Sequence, residues 1–71
     1  MTNERFKAIR LYLSMTQSQF AEFLDISVSA VGMIEAGHRE VSGNVSAKLA
    51  RKFRATDEFI EYLENRKRLV D

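Results

Sequence analysis

The sequence predicts an all-α fold, a compact bundle of five short helices forming one domain over residues 1–71. Three observations lead there. Apolar residues recur three and four apart along the chain, and no stretch alternates polar with β-branched residues. A Thr or Ser heads each periodic segment, at positions 2, 16, 27, 42 and 56, where its hydroxyl can accept from an amide of the first helical turn. Proline is absent and there are only three glycines, so little interrupts a helix. A domain this small, without disulfide or metal, depends on well-formed helices or on an oligomer interface.

The first helix runs from about Asn3 to Leu13, behind Thr2. Phe6, Ile9, Arg10 and Leu13 share one face, and Arg5 and Lys7 fall outside it, in water. The second starts at Thr16 and ends near Leu24. Thr16-Gln17-Ser18-Gln19 has the capping-box form, and Met15 with Phe20 has hydrophobic-staple spacing. Phe20, Ala21 and Leu24 point inward. Asp25 and Ile26 make a tight connection, and Ser27 caps a third helix over about Val28 to Ala36. Val31, Ile34 and Glu35 form its inner face. Ser29, Gly32 and Met33 form the opposite one, with Val28 on the exposed first turn. Gly37 follows as the left-handed residue that ends the helix.

His38 to Ser42 is a loop. Ser42 caps a fourth helix reaching about Phe53, with Val45, Leu49 and Phe53 inward. Thr56 caps a fifth, over about 56–68. Asp57 and Glu58 in its first turn and Arg66, Lys67 and Arg68 in its last match the helix dipole at both ends. Phe59, Ile60 and Leu63 form its apolar stripe, with Tyr62 beside it. The aromatic residues Phe6, Tyr12, Phe20, Phe53 and Phe59 are assigned to core or interface.

Composition removes most chemistry. No cysteine means no disulfide, zinc–cysteine cluster or thiol nucleophile. One histidine is too few for an ordinary catalytic metal site, and Glu61 and Glu64 have no second cluster to complete one. Ser14, Asp25 and His38 lack the context of a triad, and no glycine-rich phosphate loop is present. No enzyme and no cofactor are expected. His38 reads as a loop spectator. Eleven basic against ten acidic residues give a charge of +1, which by itself indicates no partner. With no long apolar run and polar residues after Met1, a cytoplasmic protein is expected.

The segment from Thr16 to Gly37 joins two short helices by a tight turn, the form of a helix-turn-helix. Its residues carry a resemblance. Thr16-Gln17 opens the first of the pair, Phe20-Ala21 stands where a Leu-Ala pair is usual, Ile26 precedes the capping Ser27, and Ile34, Glu35 and Gly37 follow. In this the chain resembles the repressor/Cro family of phage and bacteria, the XRE-type helix-turn-helix, from Phe6 to about Leu63.

The resemblance implies a lambda-repressor-like bundle that represses transcription as a homodimer on a palindromic double-stranded DNA operator. The protein would be bacterial or phage-encoded and nucleoid-associated. Ser27, Val28, Ser29, Gly32 and Met33 then occupy base-facing positions. Gln17, Arg39, Ser42, Gly43 and Asn44 stand where phosphates are contacted. Arg10 and Glu35 match an ion pair between the first and third helices. Their position on otherwise apolar faces also favours a partly buried pair. Phe59, Ile60, Tyr62 and Leu63 fall at the dimer interface. No sensor domain is apparent, so control by concentration, proteolysis or a partner is expected.

The chain departs from the family pattern in one respect. Its third helix carries no long polar side chain for base edges. Ser29 offers one hydroxyl, and Val28 and Met33 suit thymine methyl groups. Gly32 reads equally as a site of close approach to DNA or as simple tolerance. From Thr16 to Asn44 the one basic residue, Arg39, faces Glu22, Asp25, Glu35 and Glu40, which weakens phosphate attraction. Lys48, Arg51, Lys52 and Arg54 read as a solvated helix face. Phe23 is expected to be exposed and to join Met33 and Val28 in an apolar patch. Such a patch motivates the alternative, a protein-interaction module acting as an antirepressor or modulator of another regulator.

Overall fold

The computed structural model describes residues 1–70, of which 68–70 are described by their backbone alone. The side chains of Arg68, Leu69 and Val70, and the whole of Asp71, lie outside the described residues. Five helices form: α1 (Asn3–Tyr12), α2 (Gln17–Leu24), α3 (Val28–Glu35), α4 (Gly43–Lys52) and α5 (Asp57–Val70). No strand occurs among the described residues.

Each expected cap is present. Thr2, Thr16, Ser27, Ser42 and Thr56 accept from the backbone amides of Arg5, Gln19, Ala30, Val45 and Phe59, at 3.1 to 3.2 Å. At α2 the capping box closes, because the Thr16 amide donates back to Gln19 Oε1 at 2.9 Å.

The exits of α1, α2 and α3 share one device. Ser14, Asp25 and Gly37 all adopt left-handed backbone, with φ of 57°, 55° and 82°. At each, the next amide reaches back to a carbonyl of the final turn: Met15 to Arg10, Ile26 to Ala21 and His38 to Met33. Only one of these turns uses glycine. Short polar side chains tolerate the conformation at the other two.

Packing follows the apolar stripes. α3 lies against α1 and α2, α2 against α4, and α1 against α5. Phe6, Ile9, Phe20, Ala21, Leu24, Val31, Ile34, Leu49 and Phe59 form the buried cluster, with Val45, Phe53, Tyr62 and Leu63 packed on its rim. Phe6 meets Phe20 edge-on at 5.0 Å. Ala30 on α3 is buried as well. One expectation fails here. Ile60 is 46 % exposed and does not belong to the inward stripe of α5, whose inner positions are held by Phe59, Tyr62 and Leu63.

Candidate nucleic-acid interface

The outward face of α3 is built by what lies behind it. Ala30, Val31 and Ile34 are buried, which turns Val28, Ser29 and Met33 to solvent. Val28 is 48 % and Met33 41 % exposed. Ser27 is exposed too, but its oxygen already accepts from Ala30. Gly32 lies between these residues, and a Cβ built there would meet only Gln17 Oε1, at 4.0 Å. Nothing inside the protomer therefore demands glycine at this position. Gly32→Ala is expected to stabilise the fold by about 0.5–1 kcal/mol, or several degrees in Tm, because glycine is the poorer helix former. If the helix approaches DNA closely here, the same variant binds duplex more weakly. Parallel melting and anisotropy measurements separate the two effects.

Beneath this face, one network joins three helices. Arg10 Nε donates to Glu35 Oε2 at 2.6 Å and Arg10 Nη2 to Glu35 Oε1 at 2.8 Å, a bidentate pair between α1 and α3. Arg10 Nη1 also donates to the Met15 carbonyl at 2.9 Å, and Gln17 Nε2 to Glu35 Oε1 at 3.2 Å. The pair is partly buried, its side chains 12 % and 5 % exposed. Burial pushes the Glu35 carboxyl up, but hydrogen bonds from Arg10 and Gln17 and the charges of Arg10 and Lys7 outweigh it and hold the group below its ordinary value. The hydrogen bond to Glu35 raises Arg10 further above its already high value. Gln17 is thus held at the start of α2, beside Gly32, by a carboxylate that α1 neutralises.

The loop after α3 is fixed by a residue that sequence reasoning missed. Asn3 Nδ2 donates to the carbonyls of both Ile34 and Arg39, each at 2.9 Å. This ties the exit of α3 and the backbone of Arg39 to the first turn of α1. No periodicity or motif marks Asn3 for this role. Arg39, Ser42, Gly43 and Asn44 are all exposed, and Ser42 spends its oxygen on the Val45 amide. The start of α4 presents amides with no helical partner, a favourable place for an anion.

Charge is better balanced in space than along the chain. Arg10 from outside the helix-turn-helix neutralises Glu35, and Lys48 Nζ donates to the Asp25 carbonyl at 3.1 Å, at the turn between α2 and α3. Lys48 therefore does more than line a solvated face. Lys52 does as well, since its ammonium stands 5.3 Å over the ring of Phe23.

That contact corrects the reading of Phe23. Its ring is half-buried, stacked on Phe20 at 6.1 Å and covered by Lys52, so it forms no open patch with Val28 and Met33. Among the residues expected to pair protomers, Phe59 is fully buried in its own core and has no surface to offer a partner. Tyr62 and Leu63 are half-buried, and Ile60 projects.

Five helices with a tightly turned α2–α3 pair, and an outward α3 braced by an ion pair behind it, define a helix-turn-helix protein. The family model described as Helix-turn-helix matches residues 6–60, most of the chain, and the protein belongs to that family, in its XRE or Cro/repressor-type form. It is a DNA-binding transcription regulator of that type; the family is regulatory rather than enzymatic. No curated protein and no solved structure matches the chain. Among the described residues no helix is long and apolar enough to cross a membrane.

Proposed function

We propose that this protein is a repressor that binds a palindromic operator as a homodimer, with one α3 in each of two successive major grooves about 34 Å apart. The observation that carries this reading is the outward face of α3. Val28, Ser29 and Met33 stand free of the core, Gln17 is held beside them, and Arg39 and the open amides of α4 follow on a loop braced by Asn3. Base edges would meet α3, and phosphates would meet Gln17, Arg39 and the start of α4. Occupying a promoter in this way blocks polymerase. On this reading the protein works on the nucleoid of a bacterium or of a phage-infected cell.

The test is fluorescence anisotropy on the protein's own upstream region and on a scrambled duplex, across a salt series. A large preference for the upstream duplex supports operator reading. Equal, strongly salt-dependent binding to both overturns it.

Ile60, exposed on α5 one turn before Leu63, supports the dimer. Ile60→Glu is expected to leave the melting temperature nearly unchanged while weakening binding to a full palindrome at least about tenfold, since an apolar contact is lost on each protomer. Binding to an isolated half-site should not change.

A second reading rests on the same exposed Val28 and Met33, which also suit a protein partner. Weak, equal binding to both duplexes, with a co-purifying protein that is lost on Met33→Glu, favours that alternative.

A further inference from the structure

We propose that the apolar pair Val28 and Met33 reads the C5-methyl group of pyrimidines, carried by thymine or by 5-methylcytosine, in place of hydrogen-bonding base edges. The inference rests on α3 lying in the major groove, as proposed above, and names the chemistry that it would recognise there.

The outward face of α3 has almost nothing with which to hydrogen-bond a base. Gly32 has no side chain. The Ser27 oxygen accepts from the Ala30 amide at 3.1 Å. The neighbouring Gln17 amide nitrogen donates to Glu35. Ser29 keeps a free hydroxyl, but one hydroxyl can donate or accept and so separates bases poorly. Val28 and Met33 are the large side chains left, and each is nearly half exposed.

In the major groove the C5-methyl is the apolar feature that a base pair presents; the rest are donors and acceptors. A methyl laid against Val28 or Met33 removes apolar surface from water on both partners. A cytosine amino group, an adenine amino group or a guanine oxygen in the same place loses water and gains no partner. Selectivity therefore has two parts, attraction to the methyl and exclusion of polar edges. Val28 is branched and stiff, so its preference should be confined to one position. Met33 is flexible and should tolerate a neighbouring one.

The test starts from the strongest duplex that the full chain selects out of a random pool. That duplex is resynthesised with deoxyuridine replacing thymine one position at a time, which removes the methyl and nothing else. Anisotropy at one salt concentration reads the affinity. Loss of about threefold to fivefold per methyl, at one or two positions in each half-site, is expected. Val28→Ala and Met33→Ala, both at exposed positions, should each abolish the loss at their own position.

A further arm changes the sensitive T·A pairs to C·G or to 5-methylcytosine·G. Recovery by methylcytosine shows that either source of the methyl is read, and recovery confined to thymine shows that one source is. A specifically bound duplex that is indifferent to deoxyuridine overturns methyl reading and leaves operator binding standing. A pool from which no duplex is enriched overturns both.

Discussion

Phe59→Ala should lower the stability of the protein by about 3–5 kcal/mol, the range for removing a buried phenyl ring. For a domain of this length, total stability is about 4–10 kcal/mol, so the variant is expected close to its unfolding midpoint at room temperature. The ring is fully buried where α5 meets α1. Phe53 lies edge-on at 4.9 Å, Tyr12 at 5.1 Å, Tyr62 is stacked at 6.3 Å, and the Arg5 guanidinium stands 5.9 Å over the face. Among the described residues, Leu63 also packs against the core from α5. Urea melts at two protein concentrations are the measurement. A core residue gives the same loss at both. An interface residue gives a loss that shrinks as concentration rises. The first result is expected, and the second would return Phe59 to the dimer surface that its sequence position suggests.

Phe59 and Ile60 show where sequence reasoning stops. The five helices, their caps and the Arg10–Glu35 pair were legible because each has a local signature: a hydroxyl ahead of an apolar period, or two opposite charges on apolar faces. Adjacent apolar residues on one helix carry no such mark. Phe59 and Ile60 are about 100° apart around the axis, and which one points inward depends on where α1 lies. Phe23 failed for a related reason. It stands where the family usually has a polar residue, which suggests exposure, and only the tertiary placement of α4 brings Lys52 over its ring. Asn3 gave no signal at all, because its partners, the carbonyls of Ile34 and Arg39, come from backbone far along the chain. The left-handed exits at Ser14 and Asp25 were equally silent, since neither residue announces that conformation as glycine does.

Glu35→Ala is the substitution expected to disturb fold and DNA binding together. It leaves the Arg10 guanidinium partly buried with only the Met15 carbonyl for a partner. Losing one member of a fully buried pair costs about 3–5 kcal/mol; residual exposure of both side chains reduces this to about 2–3 kcal/mol here. It also frees Gln17, so duplex binding should weaken beyond any effect of partial unfolding, measured at a temperature where the variant remains folded. The pH dependence has a definite sign. Glu35 is held below its ordinary value in the folded protein, so the unfolded chain binds its proton more readily. Its stabilising contribution is complete above the unfolded carboxylate range, at about pH 4–5, and is lost as pH falls through that range and below the folded value. Melting temperature of the parent protein should therefore drop on acidification more steeply than that of Glu35→Gln, which cannot titrate there. Equal slopes for the two would mean that the pair contributes nothing beyond what a neutral amide supplies, and Gln17 would then need another explanation for its fixed position.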